Sequence, residues 1–155
     1  MAALDPLVVL KDYRRLSETV CTSGQPTQMQ LQQVASQGIE VVINLGLAEA
    51  DYALPNEGAW VESLGLTYVH LPVRWETPTI EAFQQFIDTL QTYPTQSKLI
   101  HCAANKRVSV FMALYRIVVE GWSQAEAIAD LHQMWVPDAT WQAFIDQVLA
   151  QPRSV

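Results

Sequence analysis

Apolar residues recur along this chain in two rhythms, short continuous runs and three-to-four-residue spacings, and their alternation predicts the elements. The runs Val8–Leu10 and Val20–Thr22, set around Arg14, Arg15 and Leu16, predict an edge strand or hairpin. Ser23-Gly24-Gln25-Pro26 reads as a turn. Thr27-x-x-Gln30 has capping-box spacing, Leu31, Val34 and Ala35 give the helix it opens an apolar face, and Gly38 ends it. Val41-Val42-Ile43-Asn44-Leu45 is too continuously apolar for a half-exposed strand and suits a parallel strand covered on both faces.

A loop over residues 46–58 leads to a short helix through Trp60, Val61 and Leu64 that stops at Gly65, and then to a strand over Thr67–Leu71. The loop Val73–Thr79 precedes a helix with Ile80, Phe83, Phe86, Ile87 and Leu90 on its core face, for which Thr77 before Pro78 is the expected N-cap. Lys98–Ile100 is the next strand. Three helices finish the chain: Val108–Glu120 closed by Gly121, one capped by Ser123-x-x-Glu126, and one carrying Trp141, Phe144, Ile145 and Val148. Strands alternating with helices, then helices alone, predict an α/β fold with a central, mainly parallel sheet of four to five strands flanked by helices. With no repeat or linker, the 155 residues read as a single domain, 1–155.

Composition narrows the partners. Half the residues are hydrophobic and 16% are charged, with a net charge of −7. No run of Lys or Arg exceeds two residues, which argues against a nucleic-acid surface. The opening residues lack a secretory pattern, and no apolar run reaches the ~18 residues of a membrane span. The expectation is a soluble, cytoplasmic domain with no membrane partner and two free thiols. Cys21, Cys102, His70, His101 and His132 have no ligand spacing, so neither a metal nor a cofactor is expected. The oligomeric state is left open.

The chemistry gathers in Lys98–Tyr115, KLIHCAANKRVSVFMALY. A lone cysteine is by default a small buried side chain. Cys102, however, ends a strand just before a helix N-terminus, where free N–H groups and the helix dipole favour anions and thiolates. Lys106 and Arg107 lie within five positions, and Ala103, Ala104 and Asn105 are small or tolerate a left-handed turn. This is a recipe for a reactive thiolate beside an anion cradle. His70 and His132 read as packing and surface residues, the tryptophans at 60, 122, 135 and 141 as core, and Asp138 as a helix N-cap.

The run His101-Cys102-Ala103-Ala104-Asn105-Lys106-Arg107-Val108-Ser109 resembles the H-C-x-x-G-x-x-R-[ST] signature of the cysteine-dependent protein tyrosine and dual-specificity phosphatases. The SGQPT turn, VVINLGLAEADYALPNEG and YVHLPVRWETPT extend the likeness to a small bacterial branch over residues 13–150. The resemblance implies a phosphatase-type fold and a phosphorylated small molecule or phosphoprotein as partner. It implies Cys102 as nucleophile and the amides from Ala103 to Val108 as the phosphate cradle. His101 orders the loop, and Ser109 aids departure of the thiolate. An ungapped alignment puts Val108 where the family carries its arginine and Arg107 one residue early. Glu76 is the candidate general acid, and Arg74 and Trp75 are candidate substrate contacts. Two other readings follow from the same residues. One is a noncatalytic relative that binds a phosphorylated partner. The other is a rhodanese-type sulfurtransferase, whose shorter loop the spacing Cys102-x4-Arg107 resembles.

Overall fold

Five strands and six α-helices are built from these segments in the structure, a computed structural model that describes residues 5–152. The strands are β1 Arg14–Arg15, β2 Val20–Ser23, β3 Val41–Asn44, β4 Thr67–His70 and β5 Lys98–His101. They form one sheet in the order β1-β2-β5-β3-β4, with β1 antiparallel to β2 and every other pair parallel. The expected α/β architecture, a mainly parallel sheet flanked by helices, is what the chain adopts. Both β3 and β5, at the centre, are buried at all four positions, as continuous apolar runs covered on two faces must be.

The helices are α1 Gln28–Ser36, α2 Glu57–Ser63, α3 Ile80–Thr92, α4 Lys106–Val118, α5 Gln124–His132 and α6 Ala139–Leu149. One face of the sheet carries the larger core, in which Phe83, Phe86, Phe111, Trp141 and Phe144 meet at ring separations of 5.4–6.5 Å. The other face packs Leu31, Val34, Val42, Val61 and Leu99 beneath α1 and α2. Cys21 belongs to this second cluster and Cys102 to the first. Cys21 pairs with Leu99, so Cys102 lies three residues further along, about 10 Å, beyond the ~7 Å Cα limit for a disulfide. Burial pushes the Cys21 thiol up to about 11.

Local signals held where side chains complete them. Thr27 and Gln30 form the reciprocal capping box of α1, and Gly38, Gly65 and Gly121 all adopt positive φ beyond helix ends. Asp138 caps α6 by accepting from the Trp141 amide at 2.9 Å.

Several boundaries differ, three of them by a change of element or of cap. Val8–Leu10 is not a strand: Pro6–Val9 is a 3-10 helix, opened by Pro6 and by an Asp5 carboxylate accepting from the Leu7 amide at 3.0 Å. The cap of α3 is Thr79, whose hydroxyl accepts from Ala82 at 3.1 Å, so Thr77 and Pro78 remain in the preceding loop. Helix α4 begins at Lys106 rather than Val108, because Asn105 turns left-handed at φ 63 and the chain enters the helix at once.

The helical layer is tied to the edge strand by charge. Asp130 on α5 holds Arg14 of β1 at 2.8 Å and Arg116 of α4 at 2.7 Å. Burial raises the Asp130 carboxyl, but the hydrogen bonds and charges of Arg14 and Arg116 outweigh it and hold the group below the ordinary aspartate value. A depressed folded-state value means the stabilisation is present above the unfolded carboxyl's pKa, ~3.9, and disappears as pH falls through the folded value. Urea midpoints should therefore show Asp130→Asn less stable than wild type at pH 7, with the gap closing between about pH 5 and 2. A gap independent of pH would remove the charge from the explanation.

Candidate active site

The site begins where β5 runs out between two neighbours. His101 pairs with Ser23 of β2 and Asn44 of β3, and its carbonyl accepts from the Leu45 amide at 2.8 Å. Cys102, 1% exposed, is the first residue past the strand, its amide 3.4 Å from the Ser23 carbonyl. The SGQP turn lies flat on the loop: Gln25 donates to the Ala103 carbonyl at 3.0 Å, and a Cβ on Gly24 would stand 2.6 Å from that oxygen. Only glycine fits there.

Asn105 closes the loop. It is fully buried and left-handed, and its side-chain amide donates to the Asp12 carbonyl at 2.8 Å and the Thr22 hydroxyl at 2.9 Å. Those bonds turn the side chain away from α4, and its oxygen, buried without a hydrogen-bond partner, makes no cap to the helix. The first N–H groups of a helix have no intrahelical acceptor, and a cap would normally take one. Here no side-chain cap takes one, so the start of α4 keeps the free amides that an anion cradle requires.

Arg107 is the second residue of α4 and is 4% exposed. Its guanidinium donates to the Val73 carbonyl at 2.7 Å and to the Tyr52 hydroxyl at 3.0 Å, both neutral. Among the described residues no carboxylate lies within ion-pair distance of it. Val108, at the position where the family alignment expects the arginine, is instead wholly buried in the main core. One turn-step of the helix thus sends the charged side chain to the carboxyl edge of the sheet and the apolar one inward.

Behind the loop sits a buried pair that the sequence did not announce. His101 Nε2 lies 2.6 Å from Glu57 Oε2, and the other Glu57 oxygen accepts from the Gln25 amide at 2.6 Å. His101 is fully buried and Glu57 5% exposed. The pair pins β5 and the SGQP turn to the start of α2, fixing the backbone from which the cysteine loop springs. Nothing in the spacing of Glu57, 44 residues upstream of His101, marks it.

The remaining candidates line the rim. Ser109 donates its proton to the Lys106 carbonyl at 2.6 Å and accepts from the Trp135 indole at 3.0 Å. Lys106 is exposed, its ammonium 5.4 Å above the Trp135 ring. Trp75 packs between Trp135 and Trp141, with ring separations of 5.3 and 5.6 Å, and its carbonyl accepts from the Trp141 indole at 2.9 Å. The 73–79 loop is thereby fastened at Val73 and Trp75, while Arg74 and Glu76 face solvent and Arg74 lies 3.7 Å from Glu49. The described residues contain no cluster of His, Cys, Asp and Glu able to hold a metal, and no helix long and apolar enough to cross a membrane.

The chain is similar to known proteins in sequence and in architecture. The family described as PTP-NADK, DSP-PTPase phosphatase fused to NAD+ kinase, matches residues 11–144. The dual specificity protein phosphatase TpbA of Pseudomonas aeruginosa is 24% identical over 133 residues, 84% of this chain and 56% of its own length. The chain therefore spans little more than half of that curated relative. A putative phosphatase of Shewanella putrefaciens is 28% identical with a TM-score of 0.81, covering 91% of this chain and 90% of its own. P. aeruginosa TpbA in complex with pTyr shares the fold at a TM-score of 0.71 and 21% identity, over 95% of this chain and 91% of its own.

Proposed function

The chain belongs to the DSP-PTPase family described as phosphatase fused to NAD+ kinase, and on that premise we propose that it hydrolyses phosphomonoesters through a cysteinyl-phosphate intermediate. One observation carries the reading. A guanidinium 4% exposed, bonded only to a carbonyl and a phenol, stands at the N-terminus of the helix that follows Cys102. A buried charge without a counter-charge is costly. An oxyanion seated on the uncapped amides would supply that charge, and the fork geometry of arginine suits phosphate oxygens.

In the proposed reaction the Cys102 thiolate attacks phosphorus and the bond to the leaving oxygen breaks. Amides from Ala103 to Val108, with Arg107, hold the three non-bridging oxygens as charge builds on them. Lys106, exposed beside the loop, adds positive potential at the mouth. Glu76 is the residue proposed to protonate the leaving oxygen, and its solvent-facing position suits a leaving group that arrives from outside. Water then attacks the phosphorus of the intermediate, passing a proton to the Glu76 carboxylate left by the first step, and the S–P bond breaks to restore the thiolate. Ser109 would assist this step only after surrendering its bond to the Lys106 carbonyl. His101, held by Glu57, keeps the loop backbone in register. Arg74 and the Trp75–Trp135 wall flank the entrance, an arrangement suited to an aryl phosphate such as phosphotyrosine or to a small phosphorylated molecule.

Acid quenching during turnover of an aryl phosphate, followed by intact-protein and peptide mass spectrometry, tests the reading. A single phosphoryl group on the Cys102 peptide is expected. Turnover with no phosphorylated cysteine would exclude the covalent route. A persulfide formed with thiosulfate, without phosphatase activity, would favour the sulfurtransferase chemistry instead.

A further inference from the structure

The loop between β3 and α2 is organised around one hydroxyl group. The Tyr52 oxygen lies 2.8 Å from the Leu47 amide and 3.0 Å from Arg107 Nη2, and both partners can only donate. The phenol oxygen accepts both bonds, so its own proton points elsewhere. No protein acceptor takes that proton among the described residues.

The surrounding chain is shaped to hold this hydroxyl in place. Asn44, 5% exposed at the end of β3, accepts from the Gly46 amide at 2.7 Å, and the Gly46 carbonyl is held by His70 Nε2 at 2.7 Å. A Cβ on Gly46 would stand 3.0 Å from the Tyr52 ring and 3.2 Å from its hydroxyl, so the glycine leaves the space the phenol fills. The ends of β3 and β4 and the start of α4 thus meet around one Tyr–Arg contact at the carboxyl edge of the sheet, where open α/β sheets take their ligands.

We infer that Tyr52 is a binding residue of the oxyanion site: it donates its free proton to a phosphoryl oxygen and, through its acceptor side, aims Arg107 at the same group. The inference rests on the phosphatase reading of the Cys102 loop and adds a residue that the cysteine signature does not contain. A phenol that accepts from a guanidinium is polarised toward donation, because its oxygen has already given up electron density to two N–H groups. A phenol donating to an anionic oxygen makes a charge-assisted hydrogen bond, stronger than a bond between neutral partners.

Orthovanadate inhibition constants and aryl phosphate kinetics on wild type, Tyr52→Phe, Arg107→Met and the double variant test this. Tyr52→Phe keeps the ring and should weaken vanadate binding about tenfold, the size of a lost bond to a charged group. In the Arg107→Met background the same change should cost clearly less, about twofold to threefold, because the phenol and the guanidinium are bonded to each other and position one another on the ligand. Wild type that binds vanadate while Tyr52→Phe binds it equally well would overturn the role of Tyr52 and leave the phosphatase reading standing. A tenfold loss that persists undiminished without Arg107 would overturn the aiming of the guanidinium by the phenol, since the hydroxyl would then act on the anion independently of Arg107. Wild type with neither vanadate binding nor turnover would remove the phosphatase reading, and the inference with it.

Discussion

Cys102→Ser is expected to abolish aryl phosphate turnover, by on the order of 10⁴-fold or more, while oxyanion affinity stays within about threefold of wild type. The two halves of this result come from different atoms. Nucleophilic attack needs an ionised sulfur, and a serine hydroxyl at the same place is not ionised near neutral pH. In the proposed site, binding rests on the amides of residues 103–108 and on Arg107, none of which the substitution replaces. The side chain is 1% exposed, so burying a hydroxyl there costs about 1–3 kcal/mol, and the melting temperature should fall by several degrees without loss of the fold. Initial rates and phosphotyrosine-peptide titration on the same preparation separate the effects. Turnover surviving in the variant would place the nucleophile elsewhere.

Arg107→Met should split stability from function. In the free protein the guanidinium is buried against neutral partners only, so exchanging it for an apolar chain of similar length removes a desolvated charge. The melting temperature should hold within about 3 °C of wild type or rise. Activity should fall by roughly 10²–10³-fold, the scale of losing a donor that stabilises transition-state charge. Ligand-induced stabilisation gives a second readout. Wild type at a vanadate concentration 100 times Kd should gain about 2.7 kcal/mol, and the variant at the same concentration should gain little. A variant that melts far below wild type yet keeps its kcat/KM would make Arg107 a structural strut between α4 and the Val73 carbonyl.

These outcomes turn on a residue whose number was legible early and whose direction was not. The spacing Cys102-x4-Arg107 departs from the longer signature the loop otherwise resembles, and counting alone leaves the arginine out of register. The left-handed turn at Asn105 changes the meaning of that count. It starts α4 two residues earlier than the apolar pattern suggests, so Arg107 lies in the first turn with Val108 turned into the core. The apolar periodicity of 108–118 reports where the helix is buried. It is silent about the polar first turn, which buries no hydrophobic face.

Other parts of the site divide along the same line. Cys102 at a strand end, the small residues after it and the helix beyond are neighbours in sequence, and local pattern finds them. The 73–79 loop was visible as a break between strand and helix, but Trp75 faces an aromatic wall rather than open solvent because α6 brings Trp141 over it. Ser109 keeps its place in the signature, yet its hydroxyl is engaged by Lys106 and Trp135, the latter 26 residues away.

By itself, the sequence determined the α/β order of elements, the capped and glycine-ended helices, the buried central strands and the cysteine at the mouth of a helix. Each of these depends on side chains within a turn or a strand of one another, where short-range sterics, hydrogen bonding and apolar periodicity act. Only the tertiary structure decided that the Arg107 guanidinium is buried without a carboxylate beside it, that Glu57 anchors His101, and that the Tyr52 hydroxyl stands against the guanidinium. Those contacts join residues 44 to 55 positions apart. They exist because parallel strands bring their carboxyl ends to one edge, and no local spacing records which side chains meet there.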